Sequence, residues 1–588
     1  MKNIFQENTA RLLAEAFRAA YPGQIEALIQ TLPSNAADLE SFIYSRLEVP
    51  KDRKLGDFAF PAFSAAASLK EKPVEIAQKV VAQLTPDRFT ATGPYINATL
   101  AVPDMARMVL PMIHGQGAAF GSQTIGQDRK IVIDYSSPNI AKPFGVGHLR
   151  STAIGHSLYR IFAKLGYCSI GINHLGDWGT QFGKMIVAYR KWGNDAELAK
   201  EPIKYLYDLY VRFHQQEELD SSLSDDARLW FKKLEDGDPE AVRLWKLFRD
   251  YSQAEFQRIY DILGIKFDYY TGESFYNDRI EVVMERLRRA GLVTESQGAQ
   301  VVDLEPYGMP ACLLKKADGA TLYATRELAG IFYRYETFDF YRALYVVGSA
   351  QQEHFKQVFK VIELLGEPFA DRLVHVEFGW IRFKDQAMST RKGNIIFLED
   401  VITTAEEKAA QIIRDKNPDL PNLDQTARMV ALGAILFADL GVKKHKDVNF
   451  SWEEVLNFEG ETGPYLQYTH ARLSALMRRF GKPIDETVDF NLFTSPEEKE
   501  LLLHLYRFGQ TVETASDRYE PNYIAEYLLE LAVVFNRFYQ RKDAHGKLIK
   551  IISERKNETE ARMLLVEAVR TVLNEGLRLL GIPAPEEM

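Results

Sequence analysis

Two stretches of this 588-residue chain carry residue types suited to holding phosphate. In the first, DYSSPNIAKPFGVGHLRST, Gly145, Gly147 and His148 stand where a β-branched run gives way to helical spacing. A strand that hands over to a helix through glycines leaves backbone N–H groups and the positive end of the helix dipole facing an anion. The second, MSTRKGN from Met388 to Asn394, joins Ser389, Arg391 and Lys392 to a glycine. Between Arg382 and Lys392 there are four basic residues and one acid, Asp385, which makes a cationic loop suited to a pyrophosphate. Alone, the first stretch is as readily a structural turn and the second a solvated charge cluster. Together they point to a bound nucleotide.

The elements that must position these loops are legible in outline. IVIDYSS reads as a buried strand and HLRSTAIGHSLYRIFAKLG as a helix closed by glycine, so strand, glycine loop and helix follow in the order that opens a nucleotide-binding α/β fold. CSIGINHL, ALYVVGS and VHVEFGWI add strands with helical segments between them, which predicts a largely parallel, Rossmann-type sheet. The stretch 189–263 is charged and helical and reads as an insertion. Residues 1–114 read as an α+β domain, closed off by the glycine-rich stretch from Gly115 to Gly126. The sheet domain then spans 115–400. After Asp400 no convincing strand is expected, and 401–588 reads as an all-helical bundle in which Leu565, Val569 and Val572 form one stripe and Gly581 and Pro583 end the helix.

Composition narrows the functional classes. With 46% hydrophobic and 26% charged residues the chain is globular, and a formal charge of −9 argues against a surface coated in nucleic acid, leaving local basic patches. The two cysteines, Cys168 and Cys312, lie in apolar segments and are expected as buried thiols; they can build neither a disulfide framework nor a four-thiolate zinc site. The first thirty residues are amphipathic, carry acids and lack a continuous apolar core, and no run of eighteen apolar residues occurs, so a cytoplasmic protein without a membrane segment is expected.

The two signatures resemble those of class I aminoacyl-tRNA synthetases. With NHLGDWGTQFG and TGPYLQYTHARL they are similar to one family, the arginyl-tRNA synthetases, and the likeness runs from DRKLGDFAF to the closing LGIPAPEEM. Two departures touch the chemistry. Gly145 replaces the leading histidine of the first class signature, and Ala387 and Thr390 stand where the second expects lysine. The resemblance implies that Lys142, just upstream of the first signature, supplies the missing charge.

The resemblance implies an enzyme that binds ATP with Mg2+, joins L-arginine to the α-phosphate and passes the arginyl group to the 2′-hydroxyl of tRNA. His148, Lys142, Ser389, Arg391 and Lys392 are then the catalytic donors, with Gly145, Gly147 and Met388 also against the nucleotide. Asp134, Asn139, Tyr323, Glu327 and Gln352 are implied to line the arginine pocket; the family usually has aspartate where Glu327 stands. Asp134 also ends a strand, where ligands of open α/β sheets bind. Tyr323 and Glu327 are four apart, on one face if helical. No protein metal ligands are assigned, no editing domain is expected and a monomer is implied.

For tRNA, GPYIN resembles a loop that reads a D-loop base, giving Tyr95 and Asn97, on one face of a strand. TGPYLQYTHARL resembles an anticodon-side helix, giving Tyr465, Tyr468 and Arg472, and Met588 is added at the C-terminal end. Seven Lys or Arg against two acids between Asn536 and Lys556, beside Phe535, Phe538 and Tyr539, form a further basic and aromatic stretch; aromatics turned into the bundle core are the equal alternative. Two other readings stand beside this one: a small-molecule α/β nucleotidyltransferase, and a catalytically silent RNA-binding relative.

Overall fold

The computed structural model describes residues 3–25, 29, 38–316, 322–383, 396–543 and 545–588. The chain divides into two compact units. The first comprises Met1–Gly117, Phe480–Gln510 and Val534–Ala568. Its sheet has three antiparallel strands, β1 (Phe58–Pro61), β2 (Phe89–Thr92) and β3 (Tyr95–Ala98), with β3 in the middle. The helix Ile4–Ala20 starts at Asn3, whose side chain accepts from the N–H groups of Phe5 and Gln6. Its buried Phe17 meets Phe60 of β1 edge to face at 5.6 Å.

The second unit comprises Ala118–Arg479, Thr511–Val533 and Val569–Met588. Its centre is a parallel sheet made from β4 (Lys130–Asp134), β5 (Cys168–Asn173), β6 (Tyr269–Tyr270) and two later strands. Between β6 and those later strands lies a separate antiparallel sheet of β7 (Val293–Ser296), β8 (Ala299–Val302) and β9 (Cys312–Lys315), which the sequence reading had not marked out. With β10 (Arg342–Gly348) and β11 (Leu373–Phe378) the central order is β11-β10-β4-β5-β6, every pair parallel. Chain order therefore reverses beside β4: β5 pairs on one side of it and β10 on the other. Ligands of open α/β sheets bind in the crevice at such a switch point, beyond the carboxyl ends of the strands.

The expected insertion is helical, and its helices begin earlier, at Thr180, running between β5 and β6 to Leu263. The expectation of no strand after Asp400 is corrected: β12 (Ile381–Phe383) pairs in parallel with β13 (Val448–Phe450). Three residues with one polar position are too short for periodicity to reveal. Cys312 is buried as expected, but Cys168, at the start of β5, is exposed; an apolar segment buries its middle before its ends. No helix among the described residues is long and apolar enough to cross a membrane.

The helix Val146–Lys164 lies against β4 through Gly155, where an added Cβ would sit 2.3 Å from the Cβ of Tyr135. Gly155→Ala is expected to destabilise this unit by about 1–3 kcal/mol through overpacking, more than the helix propensity it gains, and a lowered urea midpoint would read it. The far end of the same helix is held by the last residues of the chain. Lys164 pairs with Glu575 at 2.8 Å, both side chains almost wholly buried, and Ser157 donates to the carbonyl of Leu579 at 3.0 Å. The stripe Leu565, Val569 and Val572 is buried, and the helix Lys556–Leu580 stops at Gly581, whose φ is 80°. The residues that follow run along the helix Gly463–Phe480, where Gln467 and His470 donate to the carbonyls of Pro583 and Pro585.

Candidate active site

The first signature is held by a strand-like bridge. Val146 N–H donates to Ile396 O at 3.1 Å and Leu398 N–H to Phe144 O at 3.0 Å, so Gly145 and Phe397 pair antiparallel. Stretches far apart in the chain are thus joined immediately after the second signature. Met388, Ser389, Arg391 and Lys392 themselves lie outside the described residues. Gly145 is the extended N-cap of the signature helix, and no side chain caps it. A Cβ on Gly147 would meet nothing within 4 Å. The protein itself therefore does not require glycine at 147, and the requirement is one a ligand lying on the backbone would impose. Gly147→Ala is expected to leave thermal stability equal or slightly higher and to raise the KM for ATP; an unchanged KM would count against nucleotide contact there.

His148 is half-buried, its Nδ1 shut away from solvent. Burial pushes it down to about 4, against a backbone hydrogen bond at Gly145 and helped by the Lys142 cation, so it is neutral at pH 7. It can contribute a hydrogen bond and no charge. The ammonium of Lys142 lies 5.0 Å from the ring centre of Tyr210, on the insertion helix Pro202–Glu217. The insertion thus helps to place a signature residue.

Of the residues expected around the amino acid, Asp134 ends β4 and Asn139 meets the stretch that follows β5. Asn139 bridges to Gly176, and a Cβ at 176 would fall 2.1 Å from the Asn139 Oδ1. Asp177 accepts from Ser274 N–H at 2.8 Å and Ser274 Oγ at 2.6 Å, and a Cβ on Gly272 would strike its carboxylate. The loops after β5 and β6 are therefore locked together. Between them Glu273, which the sequence reading passed over, is half-buried with Oε2 sealed from solvent and unpartnered. Burial lifts its carboxyl to about 7; His174 and Arg326 oppose the rise, while Asp177 and Glu327 add to it. Only its place after an edge strand of the sheet could have singled it out.

Tyr323 is exposed at the start of the helix Tyr323–Phe338 and Glu327 is half-buried one turn on, so their helical spacing holds. Gln352 is exposed at the start of the helix Gln352–Leu364. Asp134 does end its strand at the switch point, but it is buried and has protein partners: Ser137 Oγ donates to it at 2.9 Å and Arg334 at 2.6 Å.

The candidates for RNA contact differ among themselves. Tyr95 packs edge-on against Phe63, whereas Asn97, expected to be open to a base, is 3% exposed and donates to Thr92 Oγ1 at 3.0 Å. Tyr468 is exposed with Arg472 stacked 4.9 Å from its ring centre, and Tyr465 lies one turn before it on the same helix. Phe535 and Phe538 are buried, Tyr539 is half-buried against Phe535, and Arg541 is buried in an ion pair with Glu498 at 2.7 Å. Of the two readings left open there, the core one holds for Phe535 and Phe538, because the helix turns them inward. The carbonyl of Met588 accepts from Asn417 Nδ2 at 3.5 Å.

A parallel sheet with its switch point at β4 and a signature loop opening a helix define the class I aminoacyl-tRNA synthetase catalytic fold, and known proteins agree. The family profile described as tRNA synthetases class I (R), catalytic domain, matches residues 111–452, the DALR anticodon binding domain matches 466–588, and the arginyl tRNA synthetase N terminal domain matches 9–100. Arginine–tRNA ligase of Clostridium botulinum is 46% identical over 92% of this chain and 96% of the relative, and that of Pediococcus pentosaceus 46% identical over 96% and 98%. The structure of Thermus thermophilus arginyl-tRNA synthetase superposes with a TM-score of 0.74 at 26% identity, covering 98% of this chain and all of the other. The chain belongs to the arginyl-tRNA synthetases, enzymes that work with ATP.

Proposed function

We propose that this chain attaches L-arginine to its cognate tRNA in two steps at the β4 switch point. An oxygen of the arginine carboxylate attacks the α-phosphorus of ATP and pyrophosphate leaves. The 2′-hydroxyl of the terminal ribose then attacks the adenylate carbonyl, losing its proton as AMP departs. Neither step needs a protein nucleophile, so the residues position reactants and meet developing charge. The first-turn N–H groups at Gly147 and the neutral His148 donate to phosphate, and Lys142 with Ser389, Arg391 and Lys392 supplies cations and donors. No group of three or more His, Cys, Asp or Glu among the described residues is arranged to hold a metal. Mg2+ then arrives on the nucleotide's own phosphates, the usual mode for this ion, and supplies charge neutralisation there.

Glu273, Glu327 and Asn139, with Tyr323 and Gln352 at the rim, offer acceptors to the guanidinium and ammonium groups of arginine. The observation that carries this reading is the sealed, unpartnered carboxylate oxygen of Glu273 in the loop after β6, because a buried acceptor of that kind calls for a cationic ligand. We assign tRNA contacts to the N-terminal region 1–114 through Tyr95 and to the helical region 401–588 through Tyr465, Tyr468 and Arg472.

Exchange of labelled pyrophosphate into ATP, run with arginine or lysine and with or without tRNA, tests the assignment. Activity is expected with arginine and tRNA together, and lysine is expected to be disfavoured by roughly ten-thousandfold, since it leaves pocket acceptors unpaired. Exchange that ignores tRNA would favour the small-molecule nucleotidyltransferase, and none under any condition the silent relative.

A further inference from the structure

The buried pair of Asp134 and Arg334 has no task in the steps above. Arg334 lies on the helix Tyr323–Phe338, seven residues after Glu327 and so on the same face. Its side chain is 1% exposed, and its Nη2 donates to Asp134 Oδ2 at 2.6 Å. Nε and Nη1 of the same guanidinium make no well-formed hydrogen bond, and what they face is the hydroxyls of Tyr276 and Tyr345, the latter's ring centre 5.1 Å away. A buried cation with two poorly met donors is costly, and an apolar side chain of similar volume would fill the space without that cost. Core packing alone therefore does not account for an arginine here.

What the guanidinium does achieve is visible at its partner. An ionised carboxylate has about four acceptor positions. Arg334 and Ser137 occupy one on each oxygen of Asp134, which fixes the plane of the group at the end of β4. We propose that Arg334 is a positioning residue that holds the Asp134 carboxylate in one orientation, so that its remaining lone pairs are presented to the cationic amino acid. The inference rests on the reading of Asp134 as a wall of the arginine pocket. The ionisable groups facing Arg334 are Asp134 from β4, Tyr276 from the turn after β6, Tyr345 from β10 and Glu327 from its own helix. Burial raises both tyrosines, so they stay neutral, and of the two acids Asp134 is the one that Arg334 contacts directly, at 2.6 Å.

The test uses the full-length enzyme in tRNA-dependent pyrophosphate exchange between pH 6 and 9, with Arg334→Gln, Arg334→Lys and Asp134→Asn. Arg334→Gln is expected to raise the arginine KM about thirtyfold, with the ATP KM within about twofold. Arg334→Lys, which keeps the charge, is expected to bring the arginine KM back toward the wild-type value at every pH. An Arg334→Gln enzyme with an arginine KM within threefold of wild type throughout, or one whose ATP and arginine constants rise together, overturns the inference. Should Arg334→Gln not fold, Arg334→Lys decides alone, since parallel rises in both constants overturn it equally. Asp134→Asn separates the two claims: an unchanged arginine KM removes Asp134 from the pocket, whereas a raised one beside an unaffected Arg334→Gln sinks only the role of Arg334.

Discussion

Glu273→Gln is expected to raise the arginine KM about a hundredfold while leaving the ATP KM nearly unchanged, because a charge-assisted hydrogen bond to the guanidinium is worth up to about 3 kcal/mol. The substitution keeps shape and removes charge. The wild-type enzyme carries a second signature of the same group. With its carboxyl lifted to about 7 by burial, Glu273 is largely neutral at pH 6 and must release a proton to pair with a cation. The arginine KM should therefore rise about tenfold between pH 8 and pH 6, a slope that Glu273→Gln abolishes. The sign for folding is opposite. A carboxyl raised in the folded state binds its proton more tightly there, so its contribution to stability is full below about 4.5 and fades as pH rises through about 7. A pH-independent arginine KM in the wild type, or an arginine KM within threefold in the variant, would remove Glu273 from the pocket.

Lys142→Ala should slow pyrophosphate exchange roughly a hundredfold, the usual loss of about 3 kcal/mol when one preorganised donor to a developing charge is deleted. The geometry narrows the sources of charge. His148 is held neutral, and Arg150, two residues on, is turned into a buried pair with Asp439 at 2.6 Å. Among the described residues of the first signature, Lys142 is the cation to which the proposed mechanism assigns the phosphates. Exchange within threefold of wild type would remove it from the mechanism. His148, titrating near 4, should leave the exchange rate without an inflection between pH 6 and 8.

Much of this architecture was legible because parallel strands buried on both faces are continuous β-branched runs, as in IVID, and because glycines mark where chains approach closely. What escaped was set by tertiary partners. β13 is three residues long and exists through its pairing with β12. Phe535 and Phe538 read equally as a stacking surface or as core, and only the bundle around them decides for core. The strand end placed Asp134 at the switch point but did not reveal its burial against Ser137 and Arg334. Its partner Arg334 stands 200 residues away on a helix whose pattern gives no sign of a buried cation. Glu273 looks like any loop acid until the locked loops on either side of it close off its oxygen.

The seat that Glu575 and Leu579 provide for the far end of the signature helix bears on how this enzyme can be taken apart. Lys164 and Ser157 would be left with bare buried valences in a catalytic fragment cut before the last helix. A minimal adenylating core is thus not obtained by trimming from the C-terminal side, and grafting another synthetase's anticodon module onto this one requires carrying over its terminal twenty residues as native sequence.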